Sequence, residues 1–124
     1  MHLAKNDVPV KIDVPGAKAR QVTDFGDASG YGTIAGEYFS LGAGTDIAPL
    51  LKGLKNDACQ APHWGYMLEG RLLMRVPGGD CTYKAGEAFY WAPGHAPFAL
   101  TDCAYVDFSP TAEFNAVITH LTKA

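Results

Sequence analysis

The sequence lacks a basic run, a long apolar run and a paired-cysteine motif, and each absence excludes a class of protein. Its 10 Lys and Arg residues are outnumbered by 13 Asp and Glu residues, so no basic patch is available to neutralise phosphates. No apolar stretch is long enough to span a bilayer, and the first ten residues contain no apolar core of a secretory signal. We therefore predict neither a nucleic-acid partner nor a membrane, and we expect a cytoplasmic protein.

Cysteine is scarce and unpaired. The chain has three cysteines, Cys59, Cys81 and Cys103, with no CxxC spacing. An odd number without close pairs makes a poor disulfide framework and suits a reducing compartment. For Cys81 and Cys103 we expect the role of small buried hydrophobic residues.

Glycine and proline are abundant, with 14 and 8 residues, which indicates a turn-rich, mostly β chain. Period-two alternation predicts an edge strand over Val8–Val14 and a second strand over Tyr31–Thr45. Residues 48–62 have no clear period and are predicted to form a long loop. From His63 onward, short apolar segments and turn signals alternate, as in an all-β sandwich or barrel. We predict a single domain over residues 1–124.

The end of the chain has a different period. Phe114, Val117, Ile118 and Leu121 recur at the spacing of one helix face, which predicts a short C-terminal helix over roughly residues 110–122. Ser109 is predicted as its N-cap, followed by a first-turn proline.

Two segments resemble the cupin double motif. YMLEGRL, Tyr66–Leu72, is similar to the end of the first motif, and AGEAFYWAPGHAP, Ala85–Pro97, is similar to the second. The resemblance covers roughly residues 57–100. It implies a small cupin-type β-barrel or jelly roll, often paired as a homodimer, with a cavity for a small-molecule ligand at one mouth.

The residues at the family's metal-ligand positions depart from the usual pattern. Cupins commonly use His-x-His-x-x-x-Glu in the first motif, and alignment on Gly70 places His63 at the glutamate position. Asp57 and Cys59 then fall at the two histidine positions. All three share the same strand parity, so an extended segment would point them to one side.

The second motif's histidine position is Pro97, but His95 lies two residues before it with the same parity. His63 and His95, with Cys59 or Asp57, are therefore the candidate ligands for one divalent metal ion. Two imidazoles with a thiolate suit zinc, and two imidazoles with a carboxylate suit ferrous iron. The alternative is that both histidines are polar residues satisfied by hydrogen bonds, with no metal.

Aromatic and apolar residues near the two motifs are candidates for lining the cavity. Alternation places Phe89 and Trp91 on the same face as His95, and Tyr38 and Met67 are further candidates. Glu37 is expected on the solvated outer face.

Three functions are compatible with these features. The first is a small-molecule-binding cupin of unknown reaction, with or without a metal at His63 and His95. The second is a metal-dependent enzyme of dioxygenase, isomerase or lyase type acting on a small polar substrate. The third is a non-catalytic dimerisation or interaction barrel. Fold alone does not choose between them, because function depends on the site.

Overall fold

A computed structural model describes residues 1–28, 30 and 32–122 of the chain. The strands, numbered in chain order, are β1 Val10–Val14, β2 Ala17–Val22, β3 Asp27–Ala28, β4 Gly32–Leu41, β5 His63–Glu69, β6 Arg71–Arg75, β7 Cys81–Lys84, β8 Ala88–Trp91, β9 Ala96–Ala99 and β10 Cys103–Pro110. Helix α1 spans Ala48–Leu51 and helix α2 spans Thr111–Leu121, and short 3-10 turns cover Lys5–Asp7 and Lys55–Asp57.

The strands form two antiparallel sheets. Among the described residues, the large sheet has the order β1-β2-β4-β10-β5-β8, with β3 also pairing with β4, and the small sheet has the order β7-β6-β9. The predicted all-β architecture with a short C-terminal helix is confirmed. Tyr31, the first residue of the strand predicted over Tyr31–Thr45, lies outside the described residues.

The space between the sheets is filled in two parts. One apolar cluster joins both sheets through Leu41, Met67, Leu72, Met74, Phe89, Trp91, Ala99, Cys103 and Tyr105. A second cluster lies under the helices and contains Leu51, Cys59, Ala61, Ala96, Phe114, Val117 and Ile118. The candidate site lies where these two clusters meet.

Helix α2 covers one end of this interior with its apolar face, where Phe114, Val117 and Ile118 are buried. Ser109 does not cap it, because Ser109 is still part of β10 and is fully buried inside the sheet. Pro110 occupies the N-cap position instead. Residues 48–62 are more ordered than predicted, since they contain α1 and a 3-10 turn. No helix in the described ranges has both the length and the apolar character to cross a membrane.

Candidate metal centre

Cys59 and His95 face each other across an isolated antiparallel bridge. The Cys59 amide donates to the His95 carbonyl at 2.8 Å, and the Gly94 amide donates to the Cys59 carbonyl at 2.7 Å. His63 is the first residue of β5, a short distance along the chain. One ligand atom each from Cys59, His63 and His95 lies within 4.8 Å of the others, and all three residues are buried.

Hydrogen bonds fix the orientation of both imidazole rings. His95 donates from Nδ1 to the Ala92 carbonyl at 2.7 Å, which leaves Nε2 as a bare acceptor. His63 Nδ1 lies 2.5 Å from Ser109 Oγ and 3.4 Å from Asp107 Oδ2. Because both oxygens can accept a proton from Nδ1, they favour the tautomer with a free Nε2 here as well. Metal-binding histidines in proteins commonly have this second partner.

The remaining ligand atoms have a separation that fits a metal ion. His63 Nε2 lies 3.6 Å from Cys59 Sγ. A zinc ion with tetrahedral ligands at about 2.3 Å for sulfur and about 2.0 Å for nitrogen separates those two atoms by roughly 3.5 Å. The His63 and His95 ring centroids are 5.0 Å apart. The separation of Cys59 Sγ and His63 Nε2 therefore fits zinc.

A small cavity adjoins these ligand atoms. Its volume is about 40 Å³, and its lining includes the metal-ligand candidates and the apolar residues Phe39, Ile47, Leu51, Met74, Trp91, Phe114, Val117 and Leu121. A water molecule needs roughly 10–15 Å³ measured in this way. The cavity therefore has room for an ion with water-sized ligands, whereas drug-sized ligands occupy roughly 300–1,000 Å³.

Burial shifts the titration of all three residues. It lowers the pKa of His63 well below the usual value, with a further contribution from the neighbouring His95, and it lowers the pKa of His95. Both imidazoles are therefore neutral at physiological pH, which is the form that binds a metal. Burial also raises the pKa of the Cys59 thiol to about 12, so the thiol keeps its proton unless a cation displaces it.

Two carboxyl groups lie inside the large sheet beside His63. Glu37 and Asp107 are cross-strand neighbours on β4 and β10, and their exposed fractions are 0% and 1%. Gln21 on β2 is the next residue in the same row and is also buried. Among the described residues, no hydrogen-bond partner exists for either Glu37 oxygen or for Asp107 Oδ1. The expectation that Glu37 lies on the solvated outer face is wrong.

Burial and mutual repulsion keep this carboxyl pair from ionising fully. Burial, followed by the charge of Asp107, raises the pKa of Glu37 to about 11. Burial raises the pKa of Asp107 to about 7. Glu37 is therefore neutral at physiological pH and Asp107 is partly ionised, so at most one negative charge is buried beside His63.

The cross-strand row that contains Gln21, Glu37 and Asp107 ends at Gly65 on β5, which pairs with Asp107. A Cβ atom on Gly65 would lie 2.3 Å from the Val106 carbonyl oxygen and 2.7 Å from the Asp107 Cβ. Glycine at this position therefore makes the room that the Asp107 carboxyl group occupies.

Asp57 does not join the candidate ligands. It is exposed, its φ of 51° is in the left-handed region, and its Oδ1 accepts a hydrogen bond from the Gly53 amide at 3.0 Å. The parity argument assumed an extended segment, but the 3-10 turn at Lys55–Asp57 breaks that extension. The prediction that Asp57 faces the cavity with Cys59 and His63 is wrong.

The four predicted lining residues have different locations. Trp91 lines the cavity, and Phe89 stacks behind it with ring centroids 3.6 Å apart. Met67 is buried in the apolar cluster between the sheets, away from the cavity lining. Tyr38 points away from the site because Glu37 and Phe39, its neighbours on β4, occupy the inward positions. The prediction that Met67, Phe89 and Tyr38 line the cavity is therefore wrong.

The cysteines differ from one another. All three are free thiols; Cys59 and Cys103 are buried. Cys81 is exposed at the start of β7, so the expectation that it is a buried hydrophobic residue is wrong.

Comparison with protein-family models and with curated proteins finds no match. Comparison with solved structures does. An RmlC-like cupin from Shewanella frigidimarina superposes with a TM-score of 0.57 at 15% identity, covering 87% of this chain and 88% of that one. The chain has the cupin fold. KdgF from Halomonas sp. superposes on this chain with a TM-score of 0.56 at 20% identity, covering 86% and 90% of the two chains.

A mutant of Bacillus subtilis oxalate decarboxylase has a TM-score of 0.63 at 16% identity over 87% of this chain. The match covers 28% of the decarboxylase chain, so this chain corresponds to only part of that enzyme. The polyketide cyclase RemF from Streptomyces resistomycificus has a TM-score of 0.60 at 19% identity. These similarities at low identity establish the shared fold, and the function must be argued from the site.

Proposed function

We propose that this cupin binds one divalent metal ion through Cys59, His63 and His95, and that the bound ion accepts a small polar molecule in the cavity. The observation that carries the proposal is the convergence of three buried ligand atoms, one from each residue. Hydrogen bonds already orient the two imidazole rings for coordination. A thiolate with two imidazoles favours zinc over iron, because iron sites with two histidines commonly add a carboxylate. When bound, such an ion supplies Lewis acidity.

The protein's own residues orient and enclose the site. Ser109 and Asp107 hold the His63 ring, and the Ala92 carbonyl holds the His95 ring. Phe114 packs edge-on against His63 with ring centroids 4.6 Å apart, which excludes water from that side. Three protein ligands leave a fourth tetrahedral position for the small molecule, as in catalytic zinc sites.

The size of the cavity limits that molecule. About 40 Å³ admits an ion with water-sized ligands, so a larger ligand requires movement of α2 or of residues 48–62. His120 at the end of α2 donates from Nε2 to the Lys52 carbonyl at 2.7 Å and ties the two segments together. We propose that opening of this contact admits ligands to the site.

A metal-dependent enzyme is the second candidate, favoured by Asp107, which lines the cavity with a free carboxylate oxygen beside a candidate ligand. A carboxylate at this position could exchange a proton with a bound molecule. The solved neighbours include a decarboxylase and a cyclase by name. We further propose a cytoplasmic location, because the site requires Cys59 to stay a reduced thiol.

Metal content tests the proposal directly. We expect about one zinc per chain by elemental analysis after expression with zinc, and a loss of at least tenfold in affinity for Cys59→Ser, His63→Ala and His95→Ala. Cobalt substituted for zinc should give a thiolate charge-transfer band that disappears in Cys59→Ser. Cys103→Ser removes a buried thiol outside the site, and His2→Ala removes an exposed histidine outside it; both should retain the metal.

Two results would contradict the metal site. One is a parent protein that binds no zinc, cobalt or ferrous iron even when each is supplied in excess. The other is metal content that is equal in the parent and in the three site variants. Either result would leave His63 and His95 as hydrogen-bonding groups of a metal-free pocket.

A further inference from the structure

A second pocket lies on the outer face of the large sheet, beside the N-terminal segment. Its volume is about 190 Å³. Every side chain that lines it has a hydrogen-bond donor and none is acidic; the lining residues are Lys5, Asn6, Lys18, Arg20, Tyr38 and Ser40. We call it the donor pocket. The sequence contains no basic run, but the fold brings three cationic side chains together here from separate segments.

Strand pairing positions four of the lining residues. Lys18 on β2 pairs with Ser40 on β4, and Arg20 pairs with Tyr38 two residues along the same strands. Directly paired residues have their side chains on the same face of a sheet, so the four form a square. Glu37, next to Tyr38 on β4, is fully buried inside the protein, so the square lies on the outer face.

The N-terminal segment closes one side of the pocket and orients Arg20. Arg20 Nη1 donates to the Val8 carbonyl at 3.0 Å and to the Asn6 carbonyl at 3.4 Å. Among the described residues, Arg20 Nε is buried without a hydrogen-bond partner. The 3-10 turn that begins at Lys5 brings the Lys5 and Asn6 side chains to the pocket rim. The guanidinium group is therefore held in place by the backbone rather than by an acidic side chain.

The protein does not neutralise the positive charge of the donor pocket. In the part of the chain that the structure describes, neither ion pair involves a pocket residue. Asp13 is paired with Lys18 on β1, yet it neither forms an ion pair with Lys18 nor lines the pocket. The chain as a whole has a net charge of −3, so this local charge is opposite in sign to that of the molecule. A bound anion would supply the missing counter-charge.

The donor set fits a phosphate monoester better than other anions. Such a group carries about −1.5 to −2 charges at pH 7 and has three strong acceptor oxygens, whereas a carboxylate carries one charge. A guanidinium fork and ammonium groups are the side chains that commonly bind phosphate oxygens. The neighbouring outward residues on β10, Ala104 and Val106, are uncharged, so the positive surface does not continue along a path that a nucleic-acid strand would need.

We propose that the donor pocket binds the phosphate group of a small phosphate monoester. Lys5, Lys18 and Arg20 supply the positive charge, and the hydroxyl groups of Tyr38 and Ser40 supply further donors. The pocket and the candidate metal centre lie on opposite faces of the large sheet, so this inference is independent of the proposed function.

NMR titration of the isotope-labelled protein with glycerol 3-phosphate tests the proposal. In about 150 mM sodium chloride, which screens weak surface attraction, we expect amide shifts concentrated at residues 18–20 and 38–40. The amides of residues 59, 63 and 95 should not shift, which separates the donor pocket from phosphate bound at a metal. Inorganic phosphate should shift the same amides, and acetate should bind at least tenfold more weakly.

The double variant Lys5→Gln, Lys18→Gln removes two charges from exposed side chains. We expect the dissociation constant for glycerol 3-phosphate to rise at least tenfold, because two charge-assisted contacts are lost. The matched control is Lys55→Gln, Lys84→Gln, which makes the same charge change at two exposed lysines outside the pocket. The control should bind within about twofold of the parent.

Several results would overturn the proposal. One is the absence of localised shifts with either phosphate at about 50 mM, well above a millimolar dissociation constant. Another is equal weakening in the pocket variant and in the control, which would show that binding follows net charge alone. Shifts confined to residues 59, 63 and 95 would place the phosphate at the metal centre instead. Vesicles containing phosphatidic acid should not retain the protein; retention that requires Lys5 and Lys18 would assign the pocket to a lipid headgroup and overturn a soluble ligand.

Discussion

Both faces of the large sheet contain residues that depart from the usual distribution of polar and apolar side chains. On the inner face, β4, β10 and β5 bury Glu37, Asp107 and His63 between the sheets. On the outer face, the same strands β10 and β5 expose Phe108 and Trp64. A sheet built for stability alone would place the apolar residues inside and the charged residues in water.

The two departures are of different kinds. Among the described residues, both Glu37 oxygens and Asp107 Oδ1 are buried without a hydrogen-bond partner, which costs free energy, and proteins retain such arrangements mainly at functional sites. Exposing stacked aromatic rings to water forgoes stabilisation that burial would give, and proteins retain that arrangement mainly at interfaces. The buried carboxyl groups therefore support the proposed function of the inner face.

The largest expected difference is in the stability change caused by alanine at two glycines, one on each face of the sheet. Gly65→Ala should destabilise the protein by about 3 kcal/mol or prevent folding, because its Cβ would lie 2.3 Å from the Val106 carbonyl oxygen, which is backbone and cannot move aside. Gly36→Ala on the outer side of β4 would meet only side chains at 3.5 Å and should change stability by less than about 1 kcal/mol. Urea unfolding measures both; equal effects would show that the inner face is not tightly packed.

The inner carboxyl groups predict an unusual pH dependence in the metal-free protein. The pKa of Glu37 is about 11 in the folded state against 4.5 normally, so unfolding releases its proton at neutral pH. Stability should therefore fall as pH rises from about 7 to about 8.5, by about 1.4 kcal/mol per pH unit for one proton. The two histidines act in the opposite direction and only near pH 7, because they are neutral in the folded state and their ordinary pKa of 6.5 leaves them partly protonated in the unfolded state there.

Glu37→Gln should remove most of this slope and stabilise the protein at pH 8.5. Glu113→Gln replaces an exposed carboxyl group on α2 and should keep the parental slope. Unfolding curves with a chelator present give the comparison. A Glu37→Gln variant with the parental slope would show that Glu37 is not the group holding the proton.

The smallest effect concerns the outer face. The stacked pair Trp64 and Tyr90 should contribute a coupling free energy of about 0.5–1 kcal/mol, measured by a double-mutant cycle with alanine. The stack is formed within one chain, so the coupling should not depend on protein concentration. Coupling that disappears on dilution would instead show that contact between molecules holds the two rings together.

The sequence was sufficient to predict the fold and the candidate ligands Cys59, His63 and His95, although it also indicated Asp57, for identifiable reasons. Gly70 and Gly86 lie in turns with positive φ, so the strands between them have a fixed register. Counting from those glycines indicated His63 and His95 as residues near the motif positions. The helix could be predicted because Phe114, Val117 and Ile118 follow a helical period that tertiary contacts did not override.

The inner carboxyl groups could not be predicted, because alternation does not say which set of a strand's residues faces inward. In β10, Tyr105 and Asp107 alternate with Val106 and Phe108, and the ordinary assignment places Asp107 in solvent. The signal that identifies the inward set is in the neighbouring strand, where Gly65 lies opposite Asp107. Asp57 was misplaced for a local reason, since its left-handed turn could not be inferred from parity.

The position of α2 over the cavity has a consequence for when an ion can enter. All three candidate ligands precede α2 in the chain, so they are synthesised before the helix that encloses them. If zinc binds as proposed, it would reach the ligands freely until α2 docks through Phe114 and the His120 contact to Lys52. After docking, exchange of the ion would also require the helix to detach. The identity of the ion in a folded molecule would then depend on which metal ions were available while the chain folded.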